Sequence, residues 1–286
     1  MIKVLVTGSE GQLGQSLKLV SKNYSKIEWN FFSKKQLDIR KFDQIIRVVL
    51  NKKIQIIINC AAYTNVENSE REFTKAFEVN SNGVKNLVNV CEKLKLKLIH
   101  ISTDYVFDGK KNGEYQENNK TNPISIYAKS KFEGENNIIR SNSETLVIRT
   151  SWLFSPYGKN FVKTIIKRSK HDGEIKVVND QFGKPTYAMD LAQVIIALIL
   201  NKNSFKNKVY HFANSGKTSW YNFAKKIISY KKIECKLVPV SSSFFNYKAI
   251  RPENSSLSTK FIEKNLNLEI RSWNLSLKDC LKLIDE

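Results

Sequence analysis

Apolar runs of strand length alternate with stretches of helical period through the first half of the chain. Residues 2–7, 27–32, 54–59, 96–102 and 145–150 read as strands. Between them Val84, Leu87, Val88, Cys91 and Leu94 recur at helical spacing and give one apolar stripe that must pack on a sheet. The near-continuous run Ile54-Gln55-Ile56-Ile57-Ile58 is what a strand buried on both faces requires. The pattern predicts an α/β fold with a doubly wound parallel sheet covered by helices.

Beyond Thr150 the pattern loosens. Residues 152–158 carry Pro and Gly, 175–178 form a short strand, 190–200 an apolar helix, and 209–212 a strand that returns to the main sheet. A helix capped by Thr218 or Ser219 then precedes a strand at 236–240. The expected division is a larger domain of residues 1–150 plus about 185–213, interleaved with a smaller C-terminal lobe of about 151–184 plus 214–286.

Bulk composition narrows the class. The longest apolar stretch, 194–200, falls far below the roughly 18 residues of a membrane span, so no membrane partner is expected. The N-terminal apolar segment meets Thr7-Gly8 too soon for a signal-peptide core, so the cytoplasm is the expected location. Cys60, Cys91, Cys235 and Cys280 are widely separated and read as free, mostly buried thiols, with no metal site. The net charge of +20 comes mainly from lysines spread along the chain. Pairs such as Lys52-Lys53 and Lys110-Lys111 lack interleaved aromatics, so nucleic acid is not expected as a partner, while an anionic substrate suits the charge.

Three motifs carry chemistry. Thr7-Gly8-Ser9-Glu10-Gly11-Gln12-Leu13-Gly14 follows the first strand and leads into a helix expected from Gln15. Its glycines permit a tight turn, close approach to a pyrophosphate and close helix–strand packing, which makes the larger domain a Rossmann-type dinucleotide-binding domain. No acidic residue ends the second strand, whereas Ser33-Lys34-Lys35 could accept a 2′-phosphate, so NADPH is the expected cofactor and NADH stays open. Tyr127 and Lys131 stand four residues apart, on one face if helical, where an ammonium would favour the phenolate and make Tyr127 a proton donor at neutral pH. Ser102 and Thr103 end the fourth strand, at the sheet edge that binds ligands, where a hydroxyl could polarise a substrate carbonyl.

The order glycine loop, Asn59-Cys60-Ala61-Ala62, Asn80, Ser102-Thr103, Tyr127 and Lys131 resembles the extended short-chain dehydrogenase/reductases. Further motifs narrow the resemblance: Ser102-Thr103-Asp104-Tyr105-Val106-Phe107-Asp108-Gly109, Arg149-Thr150-Ser151-Trp152, Asp180-Gln181-Phe182-Gly183-Lys184-Pro185-Thr186 and Arg251-Pro252 are similar to those of the dTDP-4-dehydrorhamnose reductase family. That resemblance implies NAD(P)H-dependent reduction of the C4 keto group of a dTDP-4-keto-6-deoxysugar. It implies Tyr127, Lys131 and Thr103 as the catalytic set. Gly8, Gly11, Gln12, Leu13, Gly14, Asp38, Ile39, Ala61, Ala62, Tyr63, Thr64 and Asn80 would join Tyr127 and Lys131 at the cofactor. Thr103, Asp104, Tyr105, Trp152, Asn160 and Arg251 would meet the sugar nucleotide.

Cys60 and Ala128 depart from the Ala and Gly usual in the family, and both are small. Some members form metal-bridged homodimers through glutamates. No matching glutamate stands near the glycine loop, where Ser16 follows Gln15, so the metal is not carried over and a homodimer stays open. Arg251 could clamp a diphosphate or pair with a surface carboxylate. His100 and His211 read as satisfied core residues and His171 as part of an exposed turn. Three other readings stand beside the main one: a related ketoreductase making another epimer, a 4,6-dehydratase or epimerase, and a non-catalytic regulatory subunit like that of methionine adenosyltransferase. The dehydratase needs a second carboxylate after Asp104, where this chain has Tyr105.

Overall fold

A computed structural model describes residues 1–284. β1 (Ile2–Thr7) turns into α1 (Gln12–Val20), and β2 (Ile27–Phe32), α2 (Phe42–Lys52) and β3 (Ile56–Asn59) follow. Two short helices, α3 (Val66–Ser69) and α4 (Phe73–Phe77), lead through a π-helical turn, Glu78–Asn82, into α5 (Gly83–Leu94). Then come β4 (Lys97–Thr103), α6 (Ile126–Ile139) and β5 (Thr145–Thr150). The second half runs β6 (Leu153–Phe154), α7 (Phe161–His171), β7 (Glu174–Val178), β8 (Phe182–Gly183), β9 (Thr186–Tyr187), α8 (Ala188–Leu200) and β10 (Val209–Phe212). It ends with β11 (Thr218–Ser219), α9 (Trp220–Lys231), β12 (Lys236–Val240), α10 (Lys260–Leu266) and α11 (Trp273–Ile284). Among the described residues, no helix is long and apolar enough to cross a membrane.

Six strands form one all-parallel sheet in the order β10-β5-β4-β3-β1-β2. This is the doubly wound α/β sheet that the alternation of runs predicts, and residues 209–212 do return to it beside β5. Alternate residues of β1 feed two cores. Val4 and Val6 pack on the side of α1 and α8, while Leu5 packs on the side of α2 and α5. The chain leaves β1 towards β2 on one side and resumes at β3 on the other, so the switch point lies between β1 and β3. A ligand crevice opens at the carboxyl ends of such strands. The second half adds a separate parallel pair, β7 with β12, and two-residue pairs β6 with β9 and β8 with β11.

Helix ends moved the expected boundaries. Ile54 belongs to the close of α2, donating its N–H to Val49 O at 3.0 Å after Lys53 turns left-handed at φ 52, so β3 starts two residues later than expected. Lys95 closes α5 in the same way at φ 56. α1 begins at Gln12, inside the glycine motif, and not at Gln15. Of the two candidate caps of α9, Ser219 does the capping, accepting from Asn222 N–H at 3.2 Å. His171, expected in a turn, is the last residue of α7.

Candidate active site

A cleft of about 590 Å³ opens over the ends of β1, β3, β4 and β5. Gly11 to Gly14 form one wall, and Ala62, Thr64, Thr103, Asp104, Tyr127 and Lys131 line the rest with Trp152. Gly11 is the N-cap of α1 with no side-chain cap, and no acidic residue stands in the first turn, so its amides remain available to an anion. Gly8 sits at φ +65, and a Cβ there would meet Ala61 N at 2.7 Å. At Gly14 a Cβ would meet Ser9 Cα at 2.5 Å, so the loop, β3 and α1 approach as only glycines allow. These features fit a dinucleotide pyrophosphate. Gln12, in the same loop, donates to Leu153 O at 3.4 Å and accepts from Ser155 Oγ at 3.0 Å.

The loop after β3 is set by two asparagines. Asn59 Oδ1 accepts from Ala61 N–H at 3.2 Å, while Asn80 binds both backbone groups of Tyr63, at 2.8 and 2.9 Å, and donates to Ser130 Oγ at 3.0 Å. Asn80 therefore shapes the cleft from behind without lining it, and the Tyr63 hydroxyl is turned away to Glu72. Asp38 and Ile39, expected at the cofactor, do not line the cleft. Arg40 holds the Asp38 carboxylate at 2.6 Å and keeps its pKa low, and Ile39 is buried with its side chain close over Gly83. Ser33 is buried directly beyond β2, whose Phe32 O accepts from Ser9 N–H at 3.1 Å. That contact puts Ser33 beside the glycine loop in a shallow cavity also lined by Ser9, Lys18 and Tyr157.

Tyr127 lies in the first turn of α6, where Ser125 caps the helix by accepting from Ala128 N–H at 3.2 Å. One turn on, Lys131 is 2% exposed. Gly134 brings this helix against the π-helical turn, since a Cβ there would fall 2.0 Å from Asn80 O. Thr103 Oγ donates to Asp104 Oδ1 at 3.1 Å and accepts from Tyr105 N–H at 3.2 Å, and Thr103, Tyr127 and Lys131 line the same cleft. Ser102, its neighbour, also lines the cleft and gives its hydroxyl to the buried Glu135 at 2.9 Å.

The electrostatics correct one expectation. Lys131 does not lower Tyr127: burial pushes the phenol up to about 12, and Thr103 opposes that only in part. Burial pulls Lys131 itself down to about 8, against the pull of Glu135 and Cys60. Its Nζ donates to Ile101 O at 2.6 Å. Asp104 is pushed up to about 7 by burial, against the hydrogen bond that Thr103 gives its Oδ1, and its Oδ2 has no hydrogen-bond partner among the described residues.

A second cavity, about 280 Å³, adjoins the first. Trp152 lines the cleft and Trp220 the second cavity, and their rings stack at 3.6 Å. Tyr105 lines the second cavity and meets Tyr127 edge-on at 5.9 Å. Arg251 also lines it, over the ring of Tyr247 at 4.0 Å; its guanidinium donates to Ala249 O at 3.0 Å and reaches Glu67 at 3.4 Å. Both readings of Arg251 thus meet here, a cavity-facing cation with a loosely held carboxylate. Asn160, expected at the substrate, lines neither cavity. Its side chain is spent capping α7 and donating to Ser155 O and Tyr157 O. Arg168, Lys176, Gln181, Phe245 and Tyr247 line the second cavity and went unassigned in the sequence. They come from four separate segments, and no local spacing marks them. Arg251 and Arg168, the latter ion-paired to Asp172 at 2.9 Å, both line this cavity and suit a diphosphate, and the aromatic rings suit a base.

The fold, the uncapped helix terminus and the Thr103–Tyr127–Lys131 arrangement define an NAD(P)H-dependent oxidoreductase of the short-chain dehydrogenase/reductase class. The chain belongs to the RmlD substrate binding domain family, whose model matches residues 2–285. It is 36% identical over 290 residues to a dTDP-4-dehydrorhamnose reductase of Aggregatibacter actinomycetemcomitans, covering 98% of each chain. A dTDP-4-dehydrorhamnose reductase of Bacillus anthracis in complex with NADP superposes with a TM-score of 0.93 at 38% identity over 99% of both chains. One from Clostridium acetobutylicum gives 0.94 at 35% identity over all of both chains.

Proposed function

We propose that the chain reduces the C4 keto group of dTDP-4-dehydro-L-rhamnose to give dTDP-L-rhamnose, with NADPH as the preferred donor, in nucleotide-sugar and cell-surface polysaccharide biosynthesis. The observation that carries this reading is the meeting of Thr103, Tyr127 and Lys131 in one cleft that ends at the uncapped N-terminus of α1. NADPH, when bound, supplies the hydride. Thr103 hydrogen-bonds the keto oxygen, and Tyr127, a phenol at working pH, gives it a proton as negative charge develops there. Lys131 holds the ribose, the α1 amides hold the pyrophosphate, and Ser33-Lys34-Lys35 favours the 2′-phosphate.

The nucleotide end of the substrate occupies the second cavity, with Arg251 and Arg168 on the diphosphate and Trp152 between the cavities. Residues 1–150 and about 185–213 then serve the cofactor, and about 151–184 with 214–286 the sugar nucleotide. We place the reaction in the cytosol, without nucleic-acid or membrane partners, and leave a homodimer compatible with it.

The test is oxidation of NADPH at 340 nm on adding dTDP-4-keto-L-rhamnose, with a panel of 4-keto epimers and NADH alongside. Tyr127→Phe lowers kcat by about a hundredfold or more and leaves the Kd for NADPH near that of the unmodified protein. Binding without turnover points to a regulatory subunit, and a Tyr127→Phe variant with ordinary turnover removes the assignment of the proton donor.

A further inference from the structure

His100 looks like a satisfied core residue in the sequence, and in the fold it is fully buried in β4. Its ring spans the gap between Asn59 and Lys131: Nδ1 lies 3.0 Å from Asn59 Nδ2, and Nε2 lies 3.4 Å from Lys131 Nζ. The direction of each hydrogen bond can be fixed from the backbone outward. Ala61 N–H and the Thr7 hydroxyl both donate to Asn59 Oδ1, at 3.2 and 2.6 Å. The amide orientation of Asn59 is thereby set, and its Nδ2 must donate to His100 Nδ1. A neutral imidazole that accepts at Nδ1 carries its proton on Nε2. That N–H points at the lysine head group.

An Nε2–H facing a charged ammonium puts two donors against each other, whereas a neutral amine accepts the bond and still donates to Ile101 O. We propose that His100, fixed by Asn59, is a positioning residue for Lys131 that tethers its head group to β4 and opposes its charged form. The inference rests on the reading that Lys131 holds the cofactor ribose. Burial acts in the same direction: it keeps His100 neutral and draws Lys131 down to about 8. The other titratable groups near Lys131 are Glu135 one turn along α6, Cys60 beyond β3 and Tyr127 one turn back. Cys60 and Tyr127 are both pushed up to about 12, so neither titrates between pH 7.5 and 9.5. Asp104, near 7, ionises below that window.

The measurement is the Kd for NADPH from pH 7.5 to 9.5, by fluorescence, in the unmodified protein, His100→Leu and His100→Gln. In the unmodified protein Kd starts to rise near pH 8, tenfold per pH unit beyond it, as Lys131 loses its proton. His100→Leu removes the opposing N–H and moves that onset up by about one pH unit. His100→Gln, whose amide nitrogen takes the place of Nε2, restores the onset near pH 8. Nitrogen NMR of the free protein reads the tautomer without cofactor, and expects His100 protonated at Nε2 and bare at Nδ1. A proton on Nδ1, a flat profile in the unmodified protein, or the same onset in His100→Leu overturns the inference. Absence of NADPH binding at every pH, with the Nε2 tautomer present, overturns the cofactor reading instead.

Discussion

Trp152 and Trp220 lie face to face, their ring centroids 3.6 Å apart and their planes 8° from parallel. Trp152 adopts the left-handed φ of 48 to make this stack, and Gly183 lies against the indole edge. A methyl group on Gly183 would come within 2.6 Å of Trp152 Cε2. Gly183→Ala therefore pushes the indole off its partner. We expect a loss of about 1–3 kcal/mol in denaturant unfolding, a changed tryptophan emission, and a rise in KM for the sugar nucleotide that exceeds the fall in kcat.

Asp104 gives the protein a pH dependence of stability. Its carboxyl is raised in the fold from 3.8 to about 7, so the protonated form is favoured there. The associated stability is fully present below the unfolded value of 3.8 and is lost as pH rises through about 7. Asp104→Asn keeps the shape and removes this titration. Relative to the unmodified protein, the variant gains on the order of 2–4 kcal/mol at pH 8 and loses that gain towards pH 4. Thermal melts across this range check it; a constant difference in Tm would show that Asp104 does not titrate this way.

Beneath the cleft, Glu135 and Arg149 form a buried ion pair, with side chains 0% and 4% exposed. Glu135 also accepts from Ser102, and Arg149 reaches Glu117 O at 3.3 Å. Glu135→Gln leaves the guanidinium without its counter-charge in the interior. A loss of about 3–5 kcal/mol follows, measured by denaturant unfolding. Restoration by the paired change Arg149→Met would show that the cost is the stranded charge.

Lysines occupy left-handed positions after α2, α5 and α9, at Lys53, Lys95 and Lys232. Glycine takes such a position without the Cβ penalty. Lys95 is exposed. Lys95→Gly is expected to stabilise by about 1 kcal/mol, seen as a higher urea midpoint with an unchanged slope. A lower midpoint would mean that the lysine stem packs against the helix end.

Much of the site was legible because its parts are local. The glycine loop lies within one strand–helix turn, and Tyr127 and Lys131 are one helical turn apart, so strand and helix periods alone place them. Asp38 and Asn160 stand outside the two cavities for a physical reason. A carboxylate is recaptured by a nearby arginine, and an asparagine before a helix is consumed as its cap; neither outcome shows in residue type. His100 was legible only as an apolar-strand residue, since its partners Asn59 and Lys131 sit on other elements.

The sequence by itself determined the alternation of strands and helices, the dinucleotide loop and the Thr103, Tyr127 and Lys131 set, because each depends on neighbours a few residues away. Tertiary structure alone decided the second cavity, the Trp152–Trp220 stack, and the protonation of Tyr127, Lys131 and Asp104. Those depend on which distant segments close over a group and how much water they exclude. Lys131, set beside Tyr127 by helical spacing, was expected to lower the phenol; burial instead draws the lysine itself down to about 8.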